Sequence, residues 1–319
     1  MPGIYIHIPF CRKACHYCNF HFSATARNFG EMTEAIIREL QLRKHYLEGP
    51  VETIYFGGGT PSLLETGRLE QILDAVNQYF KIEENPEVTL EANPDDISVQ
   101  KLQEWKSIGI NRLSIGVQSF ADIDLEWMNR AHNSRQAVTA LNSASRLFPN
   151  ITIDLIYGTP TLSDEQWLKN LEIANDTGIA HLSCYALTVE KGTALDTMIR
   201  LKKKTDVDQE KQARHFELLM QWAVAAEYEH YEISNLAKPG FRSRHNTSYW
   251  KGSHYLGLGP SAHSFNGTGR QWNISNNALY LKSIQQNTIP AENEVLSETQ
   301  RLNEYIMTSL RTIEGLSLM

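Results

Sequence analysis

Short apolar runs, several of them rich in β-branched residues, alternate with longer segments of helical spacing over the first two thirds of the chain. The runs that predict strands cover residues 3–9, 51–56, 87–91, 112–117, 151–157 and 180–187. Between them, residues 34–46 and 69–80 have the apolar spacing of one helical face. This alternation predicts an α/β protein of parallel βαβ units, arranged either as an open partial barrel or as a flat doubly wound sheet.

The pattern changes after Thr188. The later elements are a long amphipathic helix at 207–227, a strand at 231–236, a segment rich in glycine, serine and aromatic residues at 252–269, and a helix at 296–310. We therefore expect a barrel over residues 1–200 and a smaller C-terminal region over residues 201–319. The sequence stops soon after Gly315 without a clear end to its last element, so we expect that a C-terminal segment is missing.

Composition and charge narrow the class of protein. The 319 residues carry a net charge of −7, and the basic clusters, such as the one at 200–204, are short. This charge argues against nucleic acid as a partner. No apolar run reaches the roughly 18 residues of a membrane span, and the N-terminus lacks the features of a secretory signal. We therefore expect a cytoplasmic protein with no transmembrane segment.

Three of the four cysteines, Cys11, Cys15 and Cys18, follow the first predicted strand. Thiolates this close in sequence can share one iron–sulfur cluster. Three ligands leave one iron of a cubane open, and an open iron can coordinate a substrate. The alternative is a structural zinc site with a histidine as fourth ligand. The candidate histidines are His7, His16 and His21. Cys184 lies in an apolar run and is predicted to be a small buried residue.

Polar or glycine-rich positions also mark the ends of the later strands. Residues 57–61, Gly-Gly-Gly-Thr-Pro, follow the second strand and let backbone groups approach a ligand. Glu91, Gln118 and Asp154 lie at or within the next three strands, and Arg130 lies a little downstream of the fourth. Each could satisfy only a neighbour at the barrel mouth, because unpaired burial is costly. Together with the cysteines, they favour one shared ligand with hydroxyls, an ammonium and a carboxylate.

The order of these motifs resembles the radical S-adenosylmethionine superfamily, and within it the oxygen-independent coproporphyrinogen III oxidase branch. The matching segments are Tyr-Ile-His-Ile-Pro-Phe-Cys at 5–11, the Cys-x3-Cys-x2-Cys spacing, Gly-Gly-Gly-Thr-Pro at 57–61, Glu-Ala-Asn-Pro at 91–94 and Ile-Gly-Val-Gln-Ser-Phe at 115–120. The resemblance extends to about His263. It implies a partial (β/α)6 TIM-like barrel with a smaller C-terminal region.

The resemblance also implies cofactors and the residues that contact them. Cys11, Cys15 and Cys18 would ligate three irons of a [4Fe–4S] cluster, and the methionyl amine and carboxylate of S-adenosylmethionine would chelate the fourth. The implied S-adenosylmethionine pocket consists of Gly58, Gly59 and Thr60 at the methionyl end, Glu91 near the amine, Gln118, Arg130 and Asp154 near the ribose and carboxylate, and Tyr5, Tyr17 and the Ala186 backbone.

Two departures point to the haem chaperone subgroup of this branch. Phe20 stands where the coproporphyrinogen dehydrogenases have a further cysteine, and the chain begins almost at its first strand. In addition, His245-Asn246-Thr-Ser-Tyr249 reproduces the His-Asn-x-x-Tyr motif of the chaperones. An imidazole can ligate haem iron, and aromatic rings pack on a porphyrin. We predict haem at His245; the alternative is a histidine packed in the core.

We therefore predict a haem chaperone that holds a cluster, S-adenosylmethionine and haem and delivers the haem to an acceptor protein. The alternative is an enzyme that decarboxylates coproporphyrinogen III oxidatively through a 5′-deoxyadenosyl radical. A weaker third hypothesis is a radical enzyme for another substrate. No catalytic residue is assigned, enzymatic activity is left open, and an electron donor is expected if the cofactor is cleaved.

Overall fold

The computed structural model of the protein describes residues 2–24 and 28–317. Its first six strands are β1 (Gly3–Ile8), β2 (Val51–Gly58), β3 (Ile82–Ala92), β4 (Arg112–Gln118), β5 (Ile151–Tyr157) and β6 (His181–Ala186). They pair in parallel and in chain order. Because crossovers between parallel strands are right-handed, sequential order places the helices on one face, whereas a doubly wound sheet reverses its order. The structure is therefore the partial (β/α)6 barrel and not the flat sheet.

Helices follow the strands and cover the outside of this wall. They are α1 (Phe29–Leu42), α2 (Thr66–Tyr79), α3 (Val99–Ser107), α4 (Asp122–Trp127), α5 (Ser134–Ser145), α6 (Asp164–Asp176), α7 (Ala194–Arg200) and α8 (Gln209–Ala225). In α1, Met32, Ile36 and Leu40 stand four residues apart and are all buried, which gives the helix one apolar face. At α5, Asn133 and Gln136 form a capping box that fixes where the helix begins.

The C-terminal residues extend the same sheet at both edges. Their elements are β7 (Glu229–His230), β8 (Asn235–Ala237), α9 (Arg244–Trp250), β9 (Tyr255–Leu258), β10 (His263–Phe265), β11 (Gly269–Asn273), α10 (Asn277–Gln285), β12 (Ala291–Val295) and α11 (Glu298–Ser309). β9 pairs in parallel with β1, and β8 pairs antiparallel with β6. Because the sheet continues across residue 200, the division into regions 1–200 and 201–319 stays a prediction.

One predicted element of the C-terminal region differs in part from the structure. Of the single strand predicted at 231–236, residues 235–236 belong to β8, whereas residues 231–234 form a turn between β7 and β8. In this turn the Glu232 carboxylate accepts a hydrogen bond from the backbone N–H of Ser234. The glycine-rich segment 252–269 contains β9 and β10. Gly257 allows β9 and β10 to pair, because a Cβ at this position would lie 1.9 Å from the His263 carbonyl oxygen.

Strand side chains alternate between an apolar outer layer and a polar barrel interior. On β1, for example, Ile4, Ile6 and Ile8 are buried in the hydrophobic core, whereas Tyr5 and His7 occupy the alternate positions. The same alternation places polar residues on the interior face of the other strands, where they line one cavity. These residues are Tyr55, Glu91, Ser114, Asp154 and Ser183. No helix in the described ranges has the length and apolar composition that a membrane crossing needs.

Candidate functional site

A cavity of about 430 Å³ lies at the carboxyl ends of the barrel strands, where ligands collect in folds of this kind. Twelve of the predicted site residues line it, and they come from the cysteine loop, from β2 to β6 or the residues that follow them, and, for Arg130, from the segment between α4 and α5. These residues are Cys11, Cys15, Tyr17, Cys18, Gly58, Gly59, Thr60, Glu91, Gln118, Arg130, Asp154 and Ala186. The structure therefore brings together positions that are up to 175 residues apart in sequence, from Cys11 to Ala186. Tyr5 and His245 do not line the cavity.

Hydrogen-bond donors from the barrel reach two of the three cysteine sulfurs. The Thr60 hydroxyl donates to Cys11 Sγ at 3.4 Å, and Arg130 Nη1 donates to Cys15 Sγ at 3.4 Å. Donors of this kind stabilise thiolate ligands and tune a cluster. Burial raises the pKa of the Cys11 thiol to about 11. A metal centre would therefore have to displace a proton from Cys11.

Each of the three histidines that could complete a zinc site forms a hydrogen bond to a group other than the cysteines. His7 Nε2 donates to the carbonyl of His21 at 2.8 Å, and His16 Nδ1 lies 3.1 Å from the Trp127 carbonyl. His21 Nε2 lies 2.7 Å from the Asn277 side-chain oxygen. Within residues 2–24 and 28–317, no three His, Cys, Asp or Glu side chains are arranged to hold a single metal ion. Cysteines with donor-stabilised sulfurs and no histidine partner fit a cluster better than the zinc alternative.

Arg130 is only partly satisfied by the protein. Its Nη2 donates to the Asn93 side-chain oxygen at 2.7 Å and to the Gly116 carbonyl at 2.6 Å. Its Nε is buried without a hydrogen-bond partner. An unpaired buried donor is costly unless a ligand satisfies it. A carboxylate in the cavity would do so, and this fits the methionyl carboxylate of S-adenosylmethionine.

Two buried carboxyl groups face the same cavity. Glu91 accepts the Tyr55 hydroxyl at 2.8 Å and the Gly58 N–H at 3.2 Å, and Asp154 accepts the Ser114 hydroxyl. Burial raises the pKa of Glu91 to about 7, with a further increase from the charge of Asp154. Burial also raises the pKa of Asp154 to about 7. A cationic ligand such as an ammonium would favour the ionised form of both groups.

Close packing requires glycine at positions 58 and 59, a reason that the sequence did not indicate. Gly58 has φ +101°, and a Cβ there would lie 2.4 Å from the His7 ring. A Cβ on Gly59 would lie 2.5 Å from the backbone carbonyl oxygen of Phe10. Both glycines line the cavity. A Cβ is not tolerated at either position, because the end of β2 packs against the start of the cysteine loop. The proposed approach of a ligand to these backbone groups stays a prediction.

Gln118 ends β4 in an unusual backbone conformation. Its φ is +69°, a region that side chains other than glycine seldom occupy. The register between β4 and β5 shifts between Ile115 and Gln118. Such irregularities at strand ends often re-aim a side chain toward a site, and here the residue lines the cavity.

Tyr5 and His245 lie outside the cavity lining. The Tyr5 hydroxyl hydrogen-bonds to His7 Nδ1 at 3.2 Å. The His245 side chain is buried between Thr53 Oγ1, 2.8 Å from Nδ1, and the Tyr249 hydroxyl, 2.8 Å from Nε2. Burial lowers the pKa of His245 to about 3, so its ring is neutral. This arrangement matches the alternative in which His245 is packed in the core. Haem ligation by His245 stays a prediction, and it requires the Tyr249 hydroxyl to leave Nε2.

Several cavity residues were missed by the sequence analysis. They are Tyr55, Asn93, Ser114, Ser183, Tyr185 and Asn246. Asn93 and Asn246 lie inside motifs that were recognised, next to or near the residues that were chosen. The others alternate with buried apolar residues on their strands, so the period of two could have indicated the polar interior face.

A second cavity, of about 700 Å³, lies beside α9 and α11. Six aromatic side chains line it, among them Tyr249 and Trp250 of the His-Asn-x-x-Tyr segment, and the carboxylates of Glu304 and Glu314 line it too. Arg270 and Arg301 also line it. Arg270 pairs with Glu304, whereas Arg301 forms no ion pair within the described ranges. This wall offers flat apolar surface and an available positive charge.

Comparison with known proteins identifies the family. The Radical SAM superfamily pattern matches residues 5–187. The chain is 36% identical to the haem chaperone HemW of Mycobacterium tuberculosis over 99% of this chain and 83% of that protein. It is 35% identical to the haem chaperone HemW of Bacillus subtilis over 99% of this chain and 85% of that protein.

A solved structure confirms the architecture. Coproporphyrinogen III oxidase (HemN) from Escherichia coli, described as a radical SAM enzyme, superposes with a TM-score of 0.85 and 21% identity. The match covers 98% of this chain and 75% of that one, and at this identity it shows the fold alone. The family pattern and the nearly full-length similarity together show that the chain belongs to the radical SAM superfamily and, within it, to the haem chaperone HemW family.

Proposed function

We propose that this protein is a haem chaperone that holds a [4Fe–4S] cluster and S-adenosylmethionine, binds haem and delivers it to an acceptor protein. The observation that carries the proposal is similarity to haem chaperones over 99% of the chain. Phe20 supports it, because this side chain is exposed at the cavity where the dehydrogenases have a cysteine. We further propose a cytoplasmic location, with an electron donor as a second partner.

The first cavity supports the cluster and S-adenosylmethionine. Cys11, Cys15 and Cys18 would hold the cluster, which supplies an open iron and an electron when it is bound. Arg130 would pair with the methionyl carboxylate through its free Nε, and Glu91 would accept hydrogen bonds from the ammonium. The barrel would orient these groups and exclude water from them.

The second cavity supports haem. A porphyrin is a flat apolar ring with two propionates, and the wall offers aromatic faces together with Arg270 and Arg301. Tyr249 connects this wall to His245 through the hydrogen bond to Nε2. The motif that the resemblance assigns to haem therefore borders a cavity of suitable chemistry, although His245 itself is buried behind it.

Titration with haem under anaerobic conditions tests the proposal. We expect saturable binding with one haem per chain, and Trp250→Leu should weaken it about tenfold because an aromatic face is lost. Trp222→Leu is the matched control, since Trp222 stacks on Tyr228 outside the cavity wall. Absence of saturable haem binding by the folded, cluster-loaded protein would contradict the proposal.

Oxidative decarboxylation of coproporphyrinogen III is the second candidate function. It is favoured by the gathering of twelve predicted residues in one cavity, because an enzyme of this branch would need the same S-adenosylmethionine pocket. The two functions differ in a measurable outcome, the appearance of decarboxylated product.

A further inference from the structure

Three aromatic rings lie next to one another at the wall of the first cavity, which Tyr55 lines. The His245 ring lies 4.8 Å from the Tyr55 ring, at an interplanar angle of 22°. The Tyr5 ring lies 6.1 Å from the Tyr55 ring at an interplanar angle of 24°. Tyr55 therefore contacts a ring from α9 and a ring from β1, and both contacts limit the freedom of its side chain.

The hydroxyl of Tyr55, the middle ring, forms a hydrogen bond with a predicted site residue. The Tyr55 hydroxyl donates to Glu91 Oε1 at 2.8 Å, while the other carboxylate oxygen accepts the Gly58 N–H. These two donors fix both oxygens of Glu91. Tyr55 lies on β2 and Glu91 on the adjacent β3, so the ring contacts that orient Tyr55 also affect where its hydroxyl meets the carboxylate.

His245 is itself fixed on three sides. Its two ring nitrogens form hydrogen bonds with the Thr53 and Tyr249 hydroxyls, and its backbone N–H donates to Glu87 Oε1 at 2.9 Å. Thr53 lies two residues before Tyr55 on β2, and Glu87 lies four residues before Glu91 on β3. The helix that carries the His-Asn-x-x-Tyr motif is therefore bonded to the same two strands that present Tyr55 and Glu91.

We propose that Tyr55 and His245 are positioning residues for Glu91, so that the His-Asn-x-x-Tyr motif supports the S-adenosylmethionine site from behind. Tyr55 orients the carboxylate through its hydroxyl, and His245 acts through the Tyr55 ring. The inference rests on the proposed contact between Glu91 and the ammonium of S-adenosylmethionine. It assigns His245 a role that its present geometry allows without any rearrangement.

A double-mutant cycle on the cluster-loaded protein tests this coupling. The readout is the equilibrium dissociation constant of S-adenosylmethionine, followed through the change in the cluster's electron paramagnetic resonance spectrum. Tyr55→Phe keeps the ring and removes the hydroxyl, so we expect binding to weaken about tenfold. His245→Ala removes the ring behind it, and we expect a loss of about threefold. The double variant should bind no more weakly than Tyr55→Phe alone, because His245 acts through that hydroxyl.

Two further variants separate positioning from stability and from haem ligation. His245→Phe keeps a stacking ring without a ligating nitrogen, so it should restore most of the S-adenosylmethionine affinity. His181→Ala is the matched control: His181 is also buried between a threonine and a tyrosine hydroxyl, Thr152 and Tyr231, but it does not contact Tyr55. We expect His181→Ala to lower thermal stability and leave the dissociation constant unchanged.

The outcomes distinguish this inference from the proposed function. If Glu91→Ala leaves S-adenosylmethionine binding unchanged, the proposed site is wrong. If Glu91→Ala weakens binding but His245→Ala does not, or if the effects of Tyr55→Phe and His245→Ala multiply, the positioning role is overturned. Loss of haem binding in His245→Ala with unchanged S-adenosylmethionine affinity would instead assign His245 to haem.

Discussion

Glu91 and Asp154 are carboxyl groups whose pKa values are raised by burial, although the charges of Arg112 and Arg130 offset part of the rise for Asp154. A folded-state pKa of about 7 means that the folded protein retains a proton which the unfolded chain releases near pH 4. The free energy of unfolding of the free protein therefore falls as the pH rises from about 4 to about 7. A cationic ligand offsets this loss, because it favours the ionised groups.

S-adenosylmethionine affinity should consequently depend on pH. Below pH 7 a cationic ligand competes with protons on Glu91 and Asp154, so binding should weaken about tenfold between pH 8 and pH 6. Glu91→Gln should weaken binding at pH 8 and reduce this dependence, because one titrating group is removed. Dissociation constants across this range check the prediction, and an affinity that is the same at pH 6 and pH 8 would refute it.

Gly59 tests the packing of the glycine loop. In Gly59→Ala the new Cβ would meet backbone oxygens of Phe10 and Ile8, which cannot rotate away, so the start of the cysteine loop must shift. Overpacking of this kind costs about 1–3 kcal/mol. We expect a several-fold loss of reconstituted cluster, measured as iron per chain. Gly67→Ala is the control, because no atom lies within 4 Å of its Cβ; equal cluster content in the two variants would contradict the account.

At the scale of elements, the alternation of short apolar runs with segments of helical spacing predicted the six barrel strands, but it did not predict the order in which they pair. β3 is longer than predicted and begins at Ile82, because Ile82 pairs with Val51 before the register shifts. Nothing in residues 83–86, which are mainly polar, indicates this pairing. His245 and Tyr249 stand four residues apart on α9, so helical spacing could have predicted their hydrogen bond. The contacts with Thr53 and Tyr55 could not be predicted, because they depend on how α9 docks on β2.

Glu87 anchors α9 to β3. Its carboxylate accepts the backbone N–H groups of Arg244 and His245 at the beginning of this helix, where negative charge is favourable. Glu87→Ala leaves these buried donors unpaired and should lower the free energy of unfolding by about 1–3 kcal/mol. Chemical denaturation measures this change. Glu83→Ala, on an exposed position of the same strand, is the control, and an equal effect of both would rule out the anchoring role.

At the scale of the whole molecule, the rule that ligands collect at the carboxyl ends of parallel strands predicted the composition of the first cavity. The resemblance then supplied the roles of its residues, which packing alone does not reveal. The second cavity could not be predicted, because α9, β9, β10 and α11 form it from segments whose sequence pattern is weak. His245 shows the limit of a motif: its spacing was recognised, but its burial depends on strands almost 200 residues away.

The cluster itself is tested on the whole chain. Replacement of Cys11, Cys15 and Cys18 by alanine should abolish iron–sulfur absorption after anaerobic reconstitution. Cys184→Ala should not, because that side chain is buried in the hydrophobic core. Iron and sulfide analysis, together with visible absorption, measures both outcomes. Stoichiometric zinc and no cluster in the wild-type protein under these conditions would restore the zinc alternative.

The central claim is that the barrel serves haem delivery and not porphyrin synthesis. The most direct measurement is anaerobic incubation of the cluster-loaded protein with S-adenosylmethionine, a reductant and excess coproporphyrinogen III, followed by chromatography of the porphyrins. A fully reconstituted coproporphyrinogen III oxidase serves as the positive control. The account predicts less than one decarboxylated product per chain, from protein that binds haem in the same buffer. Multiple turnovers of coproporphyrinogen III would contradict it and establish the enzyme.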